Sequence, residues 1–526
     1  MKNIIEKTKK ILKFICWVIN PFNGATFIDR IMPPGGRRRI KYDKEQTEKI
    51  YKERVENYYK LTDETTAKYW EGIDHRKYLV YEKNLEKKEK DELTDYEKWV
   101  IKNEISDQEY NRQKKHRFLK RPKISIVIPL YNTDIDFFRE LLYSVHLQTY
   151  TNWELCLADG SKEKLSEIEK MSINDKRIKY KFLNDNKGIS GNTNEAIEMA
   201  TGEYIALLDH DDMLSLDALY EVVKAINENR GVDFIYSDED KFHFIDEPRF
   251  APHFKPDYAP DTLRANNYIC HFSVVKKSLL DRIGLFNSGF DGAQDYDLIL
   301  RITEKAKKII HISKILYHWR VHKASTAMNT DAKPYAFEAG KKAIKSHLER
   351  MGLNGDVQDG VNMGTYVVNY EIKGNPRVEI IVVNEYDNTE IVQECKKVIL
   401  SESTYKNYEI KIANVKNQNI GKAINDKLEN SSSDYIIILD ANLKIKTKNW
   451  IEQMLGFAQR EDIGVVGTKI YYNYEAKRVQ NAGIVLDKEN GFIELFNDFV
   501  ESKFGYFGRE NLIQNLNAVS RKMFNV

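Results

Sequence analysis

Short runs of consecutive hydrophobic residues alternate with longer stretches in which hydrophobic residues recur every three to four positions. Runs of the first kind, rich in β-branched residues, cover residues 122–132, 153–159, 178–183 and 204–208. They are typical of buried strands in a parallel sheet, whereas the longer stretches predict helices. The predicted helices cover residues 136–148, 192–200, 214–227 and 296–304. This order predicts an α/β fold with a Rossmann-like nucleotide-binding half.

Acidic residues follow the ends of two of these strands. Asp159 ends the second run, and Asp209, Asp211 and Asp212 follow the fourth. In an open α/β sheet, ligands bind at the carboxyl ends of the strands. Clustered carboxylates repel one another unless a cation or hydrogen bonds neutralise them, so the cluster predicts a site where a hard metal ion meets a phosphate. A second interpretation stays open, in which Asp211 or Asp212 caps the helix at 214–227.

A glycine-containing turn at residues 186–192 precedes the second predicted helix. Its backbone amides and Lys187 are candidates for binding a phosphate. No glycine-rich fingerprint follows the first strand, which argues against a nicotinamide or flavin cofactor. Residues 132–136 also lack the glycine and arginine residues that we would expect of a nucleotidyltransferase that makes sugar nucleotides.

Several motifs between residues 126 and 320 occur in the order seen in one known family. They are Ile126-Val-Ile-Pro-Leu-Tyr-Asn132, Leu147-Gln-Thr-Tyr150, Ala158-Asp-Gly-Ser161, Leu208-Asp-His-Asp-Asp212, Phe290-Asp-Gly-Ala-Gln-Asp-Tyr-Asp-Leu298 and Leu316-Tyr-His-Trp-Arg320. This set resembles the inverting family 2 glycosyltransferases with the GT-A fold, which use nucleotide-sugar donors. The ordered set is far more specific than any single motif.

The resemblance implies roles for the residues at the strand ends. It implies that the nucleotide pocket is lined by Pro129 and Tyr131, and that Asp159 accepts a hydrogen bond from the base. It further implies that Asp209 contacts the nucleoside and that Asp211 binds a divalent cation, Mn2+ or Mg2+, which bridges the diphosphate. Asp212 is expected to support either role.

Transfer to an acceptor hydroxyl requires a base, and the leaving diphosphate requires compensation of its charge. Asp295 matches the family's base position, with an N-terminal cap of the helix at 296–304 as the alternative interpretation, and Asp297 is the weaker candidate. The resemblance places residues 317–322 beside the diphosphate. There, Arg320 is expected to contact the donor and His322 to add a metal ligand.

Acidic residues also cluster at Ser237-Asp-Glu-Asp240. They allow two interpretations, a second metal site or a solvated strand end, and the second is favoured. Residues 252–257 and 267–271 resemble a subgroup of the family that builds rhamnose- or galactose-containing surface polysaccharides.

An internal repeat relates two parts of the chain. Pro122-Lys-Ile-Ser-Ile-Val matches Pro376-Arg-Val-Glu-Ile-Ile, Thr149-Tyr-Thr-Asn-Trp-Glu154 matches Thr404-Tyr-Lys-Asn-Tyr-Glu409, and Gly202-Glu-Tyr-Ile-Ala-Leu-Leu-Asp209 matches Ser433-Asp-Tyr-Ile-Ile-Ile-Leu-Asp440. We call residues 122–330 the first repeat and residues 376–526 the second repeat. Residues 331–375 are predicted to form a helical connector.

The second repeat lacks most of the acids of the first. Asn414 replaces Asp159, and Asp440-Ala-Asn-Leu replaces the acid cluster, so one carboxylate is left at the predicted metal position. No counterpart of Gln294-Asp-Tyr-Asp297 follows. We therefore expect a degenerate, truncated GT-A-like domain that serves as a structural, dimerising or acceptor-positioning module.

The N-terminal region differs in composition from both repeats. Residues 1–40 are basic and amphipathic, and residues 1–20 are predicted to contact a membrane surface peripherally, without a signal peptide or a membrane span. Residues 41–121 are predicted to be mainly helical. The four cysteines are scattered without paired spacing, which favours a reducing compartment and the cytoplasmic face of the cell membrane.

The overall composition is that of a globular protein, with 42% hydrophobic and 31% charged residues and a net charge of +2. No extended positive field is visible, so nucleic acid is not an expected partner. The sequence predicts a metal-dependent inverting glycosyltransferase that moves a sugar to a hydroxyl of a glycan or lipid-linked acceptor in cell-wall or capsule polysaccharide synthesis. The alternative is a catalytically silent scaffold in a polysaccharide-assembly complex.

Overall fold

The structure, a computed structural model, describes residues 92–245, 247–322, 334–416, 418–429, 431–472, 478–489, 491–500 and 505–526. All of these residues belong to one compact unit. The predicted amphipathic segment at 1–40, its membrane contact at 1–20 and most of the predicted helical region at 41–121 lie outside the described residues. None of the described helices is both long enough and apolar enough to cross a membrane.

A nine-stranded mixed sheet forms the centre of the first repeat. Its strands are β1 (Ile124–Leu130), β2 (Trp153–Asp159), β3 (Ile178–Phe182), β4 (Tyr204–Leu207), β5 (Met213–Leu214), β6 (Phe234–Phe242), β7 (Phe250–His253), β8 (Ser273–Lys276) and β9 (Ile309–Arg320). The order is β3-β2-β1-β4-β8-β6-β9-β5, with β7 paired to β6. The first four strands in this order are parallel, whereas β8 runs antiparallel to β4 and β6.

Ten helices, counted within the described residues, surround this sheet and lead to the second repeat. They are α1 (Asp95–Asn103), α2 (Asp107–Lys115), α3 (Ile135–His146), α4 (Ser166–Asn174), α5 (Gly188–Glu198), α6 (Ala218–Glu228), α7 (Pro260–Ala265), α8 (Lys277–Ile283), α9 (Gln294–Lys305) and α10 (Pro334–Met351). Strands β1 and β2 are buried along their whole length, as expected of the central strands of such a layered fold.

Two of the predicted helices begin elsewhere than expected. Helix α5 begins at Gly188, so the glycine-containing turn forms the first turn of the helix. Helix α6 begins at Ala218, because Met213 and Leu214 form a strand paired with β9. The interpretation in which Asp211 or Asp212 caps this helix is therefore wrong.

The predicted helical connector contains one helix, α10, and a two-stranded hairpin of β10 (Gly355–Asp359) and β11 (Tyr366–Tyr370). Ala343, Ile344 and Val368 of this region belong to the same hydrophobic core as the first repeat. The connector is thus packed onto the first repeat by buried apolar side chains.

A second, five-stranded sheet forms the centre of the second repeat. The strands after the hairpin are β12 (Val378–Asn384), β13 (Tyr408–Asn414), β14 (Tyr435–Asp440), β15 (Val466–Gly467), β16 (Ile470–Tyr471), β17 (Val479–Asn481), β18 (Ile484–Asp487), β19 (Gly491–Glu494) and β20 (Met523–Asn525). The sheet order is β13-β12-β14-β20-β15. The helices of this repeat are α11 (Thr389–Glu402), α12 (Ile420–Leu428) and α13 (Trp450–Ala458).

The parallel strands of the two sheets are paired in the same register. The paired residues are Ile124 with Trp153 and with Tyr204 in the first sheet, and Val378 with Tyr408 and with Tyr435 in the second. These are the positions that the sequence repeat aligns. The predicted α/β fold, with a second copy of its nucleotide-binding half, is confirmed.

Candidate active site

The carboxyl ends of β1, β2 and β4 lie side by side and bring three predicted donor-binding positions to one edge of the sheet. Pro129 is buried in β1, opposite Ala158, and Tyr131 follows that strand with 44% of its surface exposed. Asp159 is fully buried at the end of β2, and it accepts hydrogen bonds from the Ser161 amide (2.9 Å) and the Tyr180 hydroxyl (2.6 Å). Asp159 is thus oriented by neighbours in its own sheet.

Lys187 is engaged by an acid of helix α5. It immediately precedes the helix, and its ammonium group bonds the carboxylate of Glu195, which also pairs with Lys181. Hydrogen bonds from the two lysines lower the pKa of Glu195 below its ordinary value. Lys187 therefore lies at the predicted position, but its charge is shared with a carboxylate.

Asp211 and His322 face each other across the turn that follows β4. His322 Nε2 lies 2.7 Å from Asp211 Oδ2, and both side chains keep a minor exposed fraction, 15% and 19%. Burial alone raises the pKa of Asp211, but the hydrogen bond with His322 and the charges of His210, His322 and Arg320 outweigh burial, so the pKa lies below its ordinary value. Two of the three predicted metal ligands, Asp211 and His322, are thus brought together, and the third, Asp212, is not.

Asp212 points away from that pair into the protein. It is fully buried, and it accepts hydrogen bonds from the Arg320 backbone amide (2.7 Å) and the Tyr317 hydroxyl. Burial and the charges of Asp211 and Asp209 raise its pKa well above the ordinary value. Among the described residues, no group of three or more His, Cys, Asp or Glu side chains is arranged to hold a metal ion.

The guanidinium group of Arg320 is fully buried and bonded by protein acceptors. It donates to the backbone carbonyls of Asp211 (2.6 Å) and His243 (3.2 Å) and to the Glu140 carboxylate (2.5 Å). Its carbon atom lies 4.4 Å from the ring centre of Phe137. The expectation that Arg320 contacts the donor does not fit this placement, because its donors hold the turn at Asp211.

Asp209 follows β4 and faces His271, a histidine that no local sequence pattern singled out. Half of the Asp209 side chain is exposed, and its Oδ2 lies 3.7 Å from His271 Nε2. The other ring nitrogen of His271 lies 3.2 Å from Glu239 Oε2. Burial alone lowers the pKa of His271, but the hydrogen bond and charge of Glu239 and the charges of Asp209 and Asp212 raise it to about 9. These neighbours therefore favour the protonated form of His271.

The acids at Ser237-Asp-Glu-Asp240 are neither solvated nor a metal site, so both interpretations of this cluster are wrong. Asp238, Glu239 and Asp240 are at most 5% exposed. Glu239 pairs with Lys255 (3.1 Å) as well as with His271, and these charges together with His253 bring its pKa well below the ordinary value although burial raises it.

The other two acids of this cluster are paired as well. Asp238 bonds His311 (2.8 Å), and Asp240 bonds His318 (2.6 Å) and the Tyr96 hydroxyl (2.5 Å). Tyr96 belongs to helix α1, so this buried pairing also attaches the N-terminal helices to the first repeat.

Asp295 lies in the first turn of α9, with its carboxylate turned toward Asn267. The Asn267 side-chain amide donates to Asp295 Oδ2 at 2.9 Å. The N-cap position is occupied by Ala293, so capping does not explain the acid. Asp297, the weaker candidate, is 1% exposed and pairs with Arg301 (2.8 Å), which marks it as part of the helix packing.

Asp209 is close enough to both Asp211 and Asp295 for their charges to affect its pKa. Burial raises its pKa, and the charges of Asp211 and Asp295 raise it further. Asn267 and His271, which contact Asp295 and Asp209, are four residues apart, and four residues span at most about 14 Å. Asp209 and Asp295 are therefore both contacted by one short segment, residues 267–271.

Two regions of the chain match one family model, described as Glycosyl transferase family 2. The matches cover residues 125–284 and 367–524, which together make up more than half of the chain.

Curated relatives and solved structures are also similar to the chain. The uncharacterized protein y4gI of Sinorhizobium fredii is 34% identical over 77% of this chain and 48% of that protein. O-antigen biosynthesis protein RfbC of Myxococcus xanthus is 29% identical over 75% of this chain and 33% of that protein. The chain thus spans about half or less of the length of these relatives. Among solved structures, S. aureus TarS 1-349 in complex with UDP is 22% identical, and the match covers 43% of this chain and 65% of that chain with a TM-score of 0.35.

Proposed function

This chain belongs to glycosyl transferase family 2, as its motifs indicated, and on that premise we propose a function for the first repeat. It is a metal-dependent inverting glycosyltransferase that moves a sugar from a nucleotide-sugar donor to a hydroxyl group of a glycan or lipid-linked acceptor. The relative that takes part in O-antigen biosynthesis supports a role in the synthesis of a cell-surface polysaccharide.

The observation that carries the proposal is that one short segment contacts both Asp209 and Asp295. An inverting transfer needs one group at the donor's diphosphate and a base on the opposite side of the reacting carbon, within reach of one sugar ring. The short segment from Asn267 to His271 touches both acids, at 2.9 and 3.7 Å. Two acids held by one segment support a single reaction centre.

The donor nucleotide is proposed to bind at the ends of β1 and β2. Tyr131 offers an exposed ring and Asp159 an oriented carboxylate that can accept a hydrogen bond from the base. Asp209 follows the neighbouring strand β4 and is proposed to contact the nucleoside. Lys187 supports the phosphates from the start of α5, where backbone amides also favour an anion.

The divalent cation is proposed to bind at Asp211 and His322. One carboxylate and one imidazole fit a cation that takes its remaining ligands from a diphosphate and water, because Mg2+ and Mn2+ sites at phosphates need few protein ligands. When bound, the cation compensates the negative charge on the leaving diphosphate. Asp212 and Arg320 are proposed to position this turn, since Asp212 binds the Arg320 amide and Arg320 binds the Asp211 carbonyl.

Asp295 is proposed to be the base. Its carboxylate takes the proton of the acceptor hydroxyl while the acceptor oxygen forms a bond to the anomeric carbon. The bond from that carbon to the phosphate oxygen breaks on the other face, and the nucleoside diphosphate leaves with the electron pair. The configuration at the anomeric carbon is thereby inverted. Asn267 holds the Asp295 carboxylate in place through its side-chain amide.

The test is to incubate the full chain with UDP-, dTDP- and GDP-sugars, in Mn2+ and in EDTA, together with lipid-linked glycan acceptors. We expect release of nucleoside diphosphate that depends on Mn2+ and on an acceptor, and a product of inverted anomeric configuration by NMR. Binding of the nucleotides without any release would favour the scaffold alternative. Retention of configuration would contradict the role of Asp295.

The N-terminal segment carries a separate proposal, peripheral contact with the inner face of the cell membrane through residues 1–20. Its support is the helical spacing of basic and apolar residues, which gives the segment one basic and one apolar face. Flotation with vesicles containing anionic lipid should be lost when residues 1–20 are removed, and equal flotation of both chains would contradict it.

A further inference from the structure

Side chains of the second repeat hold one segment of the first repeat that borders the candidate active site. We call residues 250–271 the wall segment; it contains β7, α7 and the loop that leads to β8. The side chains that hold it are called the clamp. The clamp consists of Arg460, Tyr506, Phe507, Arg509 and Asn515.

The clamp forms hydrogen bonds with the backbone near the start of the wall segment. The Tyr506 hydroxyl donates to the Pro252 carbonyl and accepts from the Phe254 amide, each at 2.7 Å. Arg509 donates to the Phe254 carbonyl at 2.5 Å. Between these contacts, the ring of Phe507 stacks on His253, with 3.9 Å between the ring centres and 14° between the planes. Three consecutive residues of the wall segment are therefore fixed by the second repeat.

The middle of the wall segment is held at the start of α7. This helix has no cap from its own N-cap residue, Ala259. Instead, Asn515 of the second repeat accepts a hydrogen bond from the Asp261 amide (2.8 Å) and donates to the Asp261 carboxylate (3.0 Å). Arg460 pairs with the same carboxylate at 2.5 Å, and Asp261 is 4% exposed. A residue distant in sequence thus supplies the cap that this helix needs.

The two held points of the wall segment lead to different acids of the candidate active site. Helix α7 ends at Ala265, and Asn267, which bonds Asp295, follows two residues later. His253, at the first held point, lies 3.6 Å from Glu239, and Glu239 in turn bonds His271 beside Asp209.

We propose that the second repeat is a positioning module, whose clamp fixes the wall segment so that the two active-site acids stay in their working geometry. The inference rests on the proposed function for the roles of Asp295 and Asp209. The contact with Asn515 positions the base, Asp295, and therefore affects turnover. The contact with Tyr506 positions Asp209 and therefore affects the affinity for the donor.

The test compares two variants of the full chain, Asn515→Ala and Tyr506→Phe, with the wild type. We expect Asn515→Ala to lower kcat about threefold to tenfold with an unchanged KM for the donor, as the loss of one set of hydrogen bonds allows. Tyr506→Phe, which keeps the ring and removes only the hydroxyl, should raise the donor KM by a similar factor with little change in kcat. Asn442→Ala, an exposed asparagine of the second repeat, is the matched control and should change neither constant.

A merely structural role would reduce the fraction of folded enzyme, which lowers kcat in both variants and leaves KM unchanged; that result would overturn the proposal. A second measurement does not depend on activity. Hydrogen exchange of residues 261–271 should accelerate in Asn515→Ala and not in Asn442→Ala, and unchanged exchange would also overturn it. Absence of transfer by the wild-type chain would count against the proposed function alone.

Discussion

Tyr150 in the first repeat and Tyr405 in the second make the same contact. Each hydroxyl donates to the carbonyl of the proline just before the first strand, Pro122 or Pro376. Together with the shared strand register, this contact shows that the two repeats are built on one scaffold. The strand ends of the two repeats carry different side chains, so the scaffold does not by itself specify an active site.

The difference is clear at the end of the second strand in each repeat. Asp159 is fully buried, because β3 covers the outer side of β2 and supplies the Tyr180 hydroxyl. Its counterpart Asn414 is exposed, since β13 is the edge of the described five-stranded sheet. A buried carboxylate needs such a cover, and the second repeat has kept neither the acid nor the strand at this position within the described residues.

The histidines show the same contrast. Eight of the eleven histidines lie in the first repeat, and none lies in the second. Five of them pair with buried or partly buried acids: His253, His271, His311, His318 and His322. Carboxylates can stay ionised below the surface only with such partners. The second repeat has lost the acids and their partners together, which is consistent with a scaffold that is no longer required to bind a diphosphate.

The largest expected effect is a loss of turnover when the proposed base of the first repeat is removed. Asp295→Asn should lower kcat on the order of 1,000-fold, because a positioned general base contributes roughly 100- to 10,000-fold. Donor binding should remain, as judged by the stabilisation of the chain by UDP with Mn2+ in a thermal-shift assay.

The matched control for this variant is Asp440→Asn, which removes the counterpart of Asp209 in the second repeat. Its expected turnover is that of the wild type. A large loss of activity in Asp440→Asn would show that the second repeat is itself catalytic, and wild-type turnover in Asp295→Asn would remove the base from the mechanism.

The next effect comes from a substitution that makes the proposed cation site of the first repeat resemble the second repeat. Asp211→Asn introduces the residue that the second repeat has at this position, Asn442. It should lower transfer on the order of 100-fold, since the cation that compensates the charge of the diphosphate loses its proposed carboxylate ligand. The Mn2+ concentration needed for half-maximal activity should rise. The reverse change, Asn442→Asp, should alter neither quantity, because one restored acid in the second repeat lacks a histidine partner.

A smaller effect is expected at the covered strand end. Tyr180→Phe removes one of the two hydrogen bonds that orient Asp159, so the KM for the donor should rise about threefold to tenfold. Tyr405→Phe removes a scaffold hydroxyl of the second repeat and should lower the melting temperature while leaving the KM unchanged. An equal KM in Tyr180→Phe and the wild type would argue against contact between Asp159 and the donor.

Local patterns predicted the strands well, and contacts distant in sequence explain what they did not predict. The strand Trp153–Asp159 was placed correctly, because a buried apolar run that ends in an acid is a local signal. The start of α6 was misplaced, since Leu214 joins a strand with Tyr317, more than 100 residues later. The direction of the Arg320 side chain depends on Glu140, which no local pattern reveals.

The missed histidine follows the same rule. His271 stood in a segment that the sequence analysis noted, but its partners Glu239 and Asp209 come from other strands of the sheet. The acids at 238–240 were expected in solvent for the same reason, since each of their cationic partners is at least nine residues away in sequence. Composition shows that such residues exist, and only the fold pairs them.

The smallest effect is on the pH dependence of stability. The second repeat contains no histidine and serves as the internal comparison. The pKa of His271 is raised from 6.5 to about 9 in the folded chain, so folding favours its protonated form. This contribution is fully present below pH 6.5 and is lost as the pH rises through about 9, since the native state then binds more protons than the unfolded state. Wild-type chain should lose a few degrees of melting temperature over this window, and His271→Gln should lose less. Hydrogen exchange should accelerate around β8 of the first repeat and remain the same in β12 of the second, after correction for the intrinsic effect of pH. Parallel pH profiles for the two chains would show that Glu239 and Asp209 do not hold His271 as a cation.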